Sequence, residues 1–223
     1  MMILAFVLIA VISYLLGSLN FSVILSNRLK NDDVREHGSG NAGTTNMLRN
    51  YGKKYAVLTI IGDMLKVAVA ILIAFAILKI MPISDSDKSQ FDSLTAGIDT
   101  KMLVKSFAGL FCVLGHIFPC FFKFKGGKGV ATSGGMVFVI DWRIALILLA
   151  IFAVVVLITK YVSLGSIVMA LLYPVMIYIF HRSIVLTIIA LVFTIIVVVA
   201  HRQNIYNLIH HKESKITDKK KTE

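Results

Sequence analysis

The chain has 223 residues, of which 57% are hydrophobic and only 16% charged, a balance that excludes a soluble globular domain of this size. Its net charge of +11 would suit nucleic acid in a soluble protein. Here no basic stripe is interleaved with stacking aromatics, so anionic lipid heads and anionic substrates are the expected partners and nucleic acid is not.

From the amino terminus, Met1 to Leu16 is apolar from its first residue and lacks both a cationic start and a small-residue cleavage site before Gly17. It is expected to remain as the first span. A spanning helix needs about 20 mostly apolar residues. Windows of this kind cover residues 2–25, 55–78, 102–122, 144–159, 161–180 and 183–200. Residues 129–142, ending in Ile140-Asp141-Trp142-Arg143, form a short seventh candidate that length alone would allow as a thin span or a re-entrant segment.

Charge placement decides between the two. If all seven cross, the 26–54 loop, Lys123 to Lys128, Lys160 and the tail beyond Arg202 share one side, which collects most of the lysines and arginines and is therefore cytoplasmic. If the short segment turned back, the tail with Lys212, Lys215, Lys219, Lys220 and Lys221 would face outside. The expectation is an all-α, polytopic integral membrane protein with seven transmembrane helices, its amino terminus outside and its carboxyl terminus in the cytoplasm. No internal repeat or low-complexity tract appears, so residues 1–223 read as one membrane-embedded domain with a basic tail at 210–223. The 79–101 loop, with Ser84, Asp85, Ser86, Asp87, Asp92 and Asp99, falls on the opposite side with the Asp141–Arg143 and His181-Arg182 turns.

Two glycine-rich stretches fall at cytoplasmic ends. The first, Gly38-Ser39-Gly40-Asn41-Ala42-Gly43-Thr44-Thr45-Asn46-Met47-Leu48-Arg49, combines glycines, small hydroxyls, carboxamides and a cation; the second is Gly126-Gly127-Lys128-Gly129-Val130-Ala131-Thr132. Gly38, Gly40 and Gly43 satisfy a dinucleotide G-x-G-x-x-G formally, but no strand precedes them. A Walker A loop fails too, because Gly129 follows Lys128 where Ser or Thr is required. What survives is a nest of backbone N–H groups, aided by Ser39, Thr45 and Asn46, that cradles an oxyanion; a plain turn between helices is the alternative.

Arg49, one helical turn beyond Thr45, could clamp a phosphate with a bidentate guanidinium. Lys128 is flanked by glycines that leave its ammonium unobstructed, whereas Lys123 and Lys125 alternate with Phe122 and Phe124 as interfacial anchors do. His201 and Asn204, three apart at the inner end of the last span, could reach a shared ligand. Cys112, His116 and Cys120 recur every fourth residue, but without a fourth ligand they read as packing and no metal is expected. Both cysteines lie in an apolar run, which argues against a disulfide framework. Asp63 and Lys66, inside the second span, read as a mutual ion pair facing the bundle.

Gly38 to Arg49, the stretch from Gly115 to Thr132, Ser163 to Ser166 and His201 to Asn204 resemble, in order, the bacterial acyl-phosphate:glycerol-3-phosphate acyltransferase family. The resemblance runs through nearly the whole chain. It implies a seven-span inner-membrane enzyme that transfers an acyl group from acyl phosphate to the 1-hydroxyl of glycerol 3-phosphate, giving lysophosphatidic acid and phosphate, the first acylation of phospholipid synthesis. No cofactor is implied. Membrane lipids and a functional link to the enzyme that supplies acyl phosphate are.

Carried over by position, Ser39, Gly40, Asn41, Thr45 and Asn46 are similar to the pocket for the donor's phosphate, and Arg49, Lys128, Ser166, His201 and Asn204 to the glycerol 3-phosphate site. Ser39, Arg49, Lys128 and His201 would carry the chemistry. An acyl phosphate already has a good leaving group, so such an enzyme mainly brings two anions together and aims a hydroxyl. The proton goes either to His201 or to a phosphate oxygen of the donor. Rival readings are a carrier for an organic phosphate and a membrane scaffold.

Overall fold

A computed structural model describes residues 1–94 and 98–217; Lys219, Lys220 and Lys221 of the basic tail lie outside the described residues. The described residues are helical throughout and contain no strand. The chain divides into two compact units, Met1–Ile140 and a second that begins at Asp141.

In the first unit, α1 (Met2–Gly17) is followed by α2 (Phe21–Lys30), so the expected span over 2–25 is broken at Ser18-Leu19-Asn20. Asn20 is the reason for the restart: its Oδ1 accepts from the Val23 N–H at 3.4 Å and from the Ser22 hydroxyl at 2.7 Å, capping α2. Gly17 stops α1 against α6 (Thr100–Ile117), where a Cβ on Gly17 would lie 2.0 Å from the Cys112 carbonyl oxygen. Backbones that approach this closely leave room only for hydrogen, as at small-residue crossings of membrane helices. Tyr14 closes the same end by donating its hydroxyl to the Phe118 carbonyl at 2.7 Å.

Between them, α3 (Thr44–Tyr51) and α4 (Lys53–Ile80) are hinged at Gly52. The 28 residues of α4 extend for about 42 Å at 1.5 Å per residue, enough to cross a hydrocarbon core of about 30 Å. The acidic, serine-rich stretch expected to be a loop contains a helix, α5 (Asp85–Leu94), begun by Ser84, whose hydroxyl accepts from the Asp87 N–H at 3.1 Å. Its Phe91 ring stacks on Phe6, 5.2 Å between centroids, and that single aromatic anchor escapes a search for apolar periodicity.

The seventh candidate is α7 (Val130–Ile140), whose 11 residues rise only about 16 Å, roughly half a bilayer core. It packs inside the unit against α4 and α6: Gly135 meets the Met64 backbone and Gly109 the Met136 side chain. Among the described residues, five helical stretches are by length and composition long and apolar enough to cross a membrane, the first of them residues 2–30; a sixth counts if α10 (Ile184–Ala200) and α11 (Arg202–Ile209), bent by 60°, are taken together. The protein is thus a multi-pass membrane protein.

The second unit is a helical run of α8 (Trp142–Thr159), α9 (Val162–His181), α10 and α11, in which α9 packs against both α8 and α10. Lys160 and Arg182 take left-handed conformations that end α8 and α9 sharply. Pro174 stands inside α9 and has no N–H to give the Ala170 carbonyl. The Thr194 hydroxyl of α10 donates to that carbonyl at 2.7 Å, so the peptide group is satisfied where lipid offers no donor. Large apolar side chains such as Leu157 and Ile158 stay 68% and 75% exposed, the surface expected of a helix that faces acyl chains.

Candidate active site

Residues 37–43 form a loop that closes on itself. Gly38 and Gly40 have φ of +59° and +67°, and a Cβ on Gly38 would meet the Asn46 side chain at 2.5 Å. Asn46 is the brace: its Nδ2 donates to the carbonyls of Val34 at 2.8 Å and His37 at 2.9 Å, and its Oδ1 accepts from the Ser39 N–H at 3.2 Å. Asn50 adds a bond to the same Oδ1 at 3.0 Å. The Asn46 amide, 1% exposed, engages the protein through both its oxygen and its nitrogen and shapes the loop.

What the brace presents is the start of α3. Gly43 occupies the cap position and supplies no side-chain bond, leaving the first-turn N–H groups without the usual side-chain acceptor. Ser39 and Gly40 are exposed beside it; Asn41, Thr45 and Arg49 are half-buried, Arg49 one turn beyond Thr45 as expected.

The second glycine stretch lies against the first. A Cβ on Gly127 would stand 2.4 Å from the Ala42 carbonyl oxygen and 2.3 Å from His116 Nε2, so only glycine lets the two backbones approach. Arg35 joins them again, pairing with Asp33 at 2.6 Å while Nη1 donates to the carbonyls of Phe122 at 2.9 Å and Lys125 at 3.2 Å. Lys128 follows, half-buried, and Gly129, with φ of +81°, turns the chain into α7. Lys123 and Lys125 are exposed beside aromatic rings, as interfacial anchors are. The Thr44 and Thr132 hydroxyls, in the first turns of the two helices that follow these loops, are buried without a protein hydrogen-bond partner among the described residues.

Electrostatics around the first loop keep its carboxylates ionised. The bonds from Arg35 hold the Asp33 carboxyl below the usual carboxylate range, against an opposing effect of burial. Asp32 is also lowered, first by the Tyr51 hydroxyl at 2.6 Å and then by His37 at 2.8 Å. Burial, and then Asp32, push the Tyr51 phenol above its ordinary value, so it stays a donor.

Below the loops, the expected Asp63–Lys66 pair is present at 2.8 Å and fully buried. His116 joins it, with Nδ1 2.9 Å from the Lys66 ammonium. His116 therefore stands in this polar cluster, one turn beyond the buried Cys112 on α6. Among the described residues no group of three or more His, Cys, Asp or Glu side chains could hold a metal ion.

The remaining expected residues belong to the second unit. His201 is buried at the bend between α10 and α11, so it and Asn204 do not share one straight helix face. His201 Nδ1 lies 2.8 Å from the Val197 carbonyl oxygen, which can only accept, so Nδ1 carries a proton and Nε2 is the basic nitrogen of the neutral ring. Ser166 donates to the Val162 carbonyl at 2.9 Å and keeps its lone pairs. Glu213 Oε1 accepts from Asn204 Nδ2 at 2.7 Å and from the Ser163 hydroxyl at 2.5 Å, tying the starts of α9 and α11 together. A bond from Ile216 N–H to the Lys160 carbonyl at 2.9 Å pins the tail. The Asn204 Oδ1 is buried without a hydrogen-bond partner among the described residues.

Ser39, Gly40, Asn41, Thr45, Asn46, Arg49 and Lys128 all fall in the first unit, on the two loops in contact and on α3, which follows the first of them. Sequence reasoning misses Arg35, His116 and Glu213. For Glu213 the available signal was an acid among the bases of the tail; for the bridge made by Arg35 there was none, since the carbonyls it reaches in the second loop are about 90 residues away.

The family model for glycerol-3-phosphate acyltransferase matches residues 7–211. A glycerol-3-phosphate acyltransferase of Clostridioides difficile is 43% identical over 169 residues, 75% of this chain and 74% of the relative. Two crystal structures of PlsY (YgiH), an integral membrane glycerol 3-phosphate acyltransferase, are also similar. The glycerol 3-phosphate form has a TM-score of 0.78 at 34% identity and the lysophosphatidic acid form 0.76 at 33%, each covering 94% of both chains. By this match over residues 7–211 and by these identities and coverages, the chain belongs to the glycerol-3-phosphate acyltransferase family.

Proposed function

We propose that the chain transfers a fatty acyl group from acyl phosphate to the 1-hydroxyl of glycerol 3-phosphate, releasing lysophosphatidic acid and inorganic phosphate. The observation that carries this is the contact between the two glycine loops, which sets bare helix N–H groups, Ser39, Arg49 and Lys128 at one end of the first unit. Two phosphorylated substrates repel each other. Arginine, lysine and helix N-terminal amides offset that repulsion, and charge growing on the departing phosphate strengthens the same contacts.

In the step itself, the glycerol hydroxyl oxygen bonds to the acyl carbon, the bond from that carbon to the phosphate oxygen breaks, and phosphate leaves with the electron pair. Ser39, Gly40, Asn41 and Thr45 hold the donor phosphate, with Asn46 positioning them. Arg49, Lys128, Ser166, His201 and Asn204 hold glycerol 3-phosphate. Glu213 engages the Asn204 amide N–H, which turns Oδ1 toward use as an acceptor for a substrate hydroxyl. His201, basic at Nε2, either takes the hydroxyl proton or orients it while a donor phosphate oxygen takes it.

The lysine and arginine bias supports seven crossings including the short α7, with the amino terminus outside and the tail in the cytoplasm of a bacterial inner membrane. Both units then act as one domain. Anionic lipids and the enzyme that supplies acyl phosphate are its partners.

Purified protein given labelled glycerol 3-phosphate and an acyl phosphate tests the reading. A new labelled lipid supports it; uptake into vesicles without product indicates a carrier and refutes it, as does neither outcome. In His201→Gln, retained turnover with a raised KM for glycerol 3-phosphate removes His201 from the proton-accepting role.

A further inference from the structure

Charge inside a membrane segment is costly, yet Asp63, Lys66 and His116 are 1%, 4% and 3% exposed. Neutralisation needs one pair; the cluster makes more bonds than that. Lys66 Nζ lies 2.8 Å from Asp63 Oδ1, 2.9 Å from His116 Nδ1, and 3.0 and 3.1 Å from the carbonyl oxygens of Gly17 and Leu19. The ammonium therefore caps the end of α1, where carbonyls have no intrahelical donor. Its three N–H groups are shared among these four acceptors, and His116 Nδ1 also lies 3.4 Å from Asp63 Oδ1; toward an ammonium, which only donates, Nδ1 accepts, and the neutral ring then carries its proton on Nε2.

That Nε2 edge faces the second glycine loop, 2.3 Å from where a Gly127 Cβ would be, while the His116 carbonyl accepts the Gly127 N–H at 3.2 Å. On the other side of the break, Asn20 Nδ2 donates to the Ala42 carbonyl at 3.4 Å. The cluster thus touches the α1–α2 break, the end of α6 and the loop that bears Lys128. The first loop has its own brace in Asn46; at Gly127 the hold comes through His116.

We infer that Asp63, Lys66 and His116 form a positioning device that sets the register of the Gly126–Gly127–Lys128 loop against the α1–α2 break, and so controls how tightly the acceptor phosphate is held. None of the three touches substrate; they act through the loop. The inference rests on the assignment of Lys128 to glycerol 3-phosphate.

His116→Asn tests it, because the shorter amide keeps an acceptor near Nδ1 for Lys66 and withdraws from Gly127. The expected result, in detergent–lipid micelles, is an unchanged thermal midpoint, a KM for glycerol 3-phosphate raised about tenfold, and kcat and the KM for acyl phosphate close to wild type. His116→Gln, which presents an N–H near the Nε2 position, should recover part of the affinity. The double variant Asp63→Asn with Lys66→Met, which leaves no lone charge, should show the same KM-selective defect. An unaltered KM in folded His116→Asn overturns the inference. So do equal rises in both KM values, or loss of fold in both the single and the double variant, since these assign the cluster to stability alone. Wild-type protein that forms no lysophosphatidic acid would instead refute the proposed function itself.

Discussion

Gly127→Ala is the sharpest perturbation available at the junction of the loops. The added methyl carbon would sit 2.4 Å from the Ala42 carbonyl oxygen and 2.3 Å from His116 Nε2, where real contacts do not fall below 3.0 Å. Relief requires a retreat of about 0.6 Å from Ala42 and about 0.7 Å from His116, in an interior packed too closely to give freely. Neither neighbour yields easily: Ala42 is backbone held by Asn20, and the imidazole is held by Lys66. Overpacking of this kind costs about 1–3 kcal/mol, and displacement of positioning groups by up to an ångström costs as much as about a hundredfold in rate. The expected outcome is a kcat/KM for glycerol 3-phosphate lowered about 10- to 100-fold, measured as labelled lysophosphatidic acid formed by purified protein. Gly134→Ala is the control, since a Cβ there meets nothing within 4 Å. In a helix interior it should stabilise by about 0.5–1 kcal/mol and leave activity alone. A Gly127→Ala enzyme within about twofold of wild type, or a Gly134→Ala enzyme equally impaired, would refute the reasoning from loop contact to catalysis.

Thr194→Val should strand the Ala170 carbonyl beside Pro174, costing about 1–2 kcal/mol and lowering the thermal midpoint by a few degrees at unchanged kcat/KM, with Thr194→Ser restoring it. Glu213→Ala removes the acceptor shared by Ser163 and Asn204 and should raise the KM for glycerol 3-phosphate about tenfold, with Glu213→Gln intermediate because the charge assistance, about half the bond strength, is lost. Arg35 holds the Asp33 carboxyl low, so the stability from that contact is complete above the ordinary aspartate value of about 3.9 and is lost as pH falls through the lower folded value. Thermal midpoints measured from pH 8 down to 5 should therefore show no pH dependence from this pair, which contributes in full over that range, and the loss with Arg35→Met should be the same throughout it.

Several features were readable locally because a local physical cause produces them. Long apolar runs must become helices in lipid, and α4, α6, α8 and α9 fall close to where such runs predicted. The start of α3 at Thr44 follows from the glycine-to-hydroxyl transition, and the Asp63–Lys66 pair from three-residue spacing on one helix. Features set by one or two residues were harder. The break at Ser18-Leu19-Asn20 hides in an apolar window although Asn20 is a strong cap, and α5 has Phe91 as its aromatic anchor.

Composition and hydropathy were sufficient by themselves to specify a helical membrane protein, and glycine placement to mark the two loops that meet in its first unit. Only the tertiary structure decided that Gly127 lies on Ala42, that Arg35 bridges the loops, that His116 joins Asp63 and Lys66, and that Glu213 turns back onto Asn204. The physical reason is range. Helix formation and capping draw on neighbours within a turn, whereas the contacts of the first unit form only when α1 crosses α6 at Gly17 and α4 packs beside both, and those of Glu213 only when the tail folds back to the starts of α9 and α11, outcomes of packing that no local window contains.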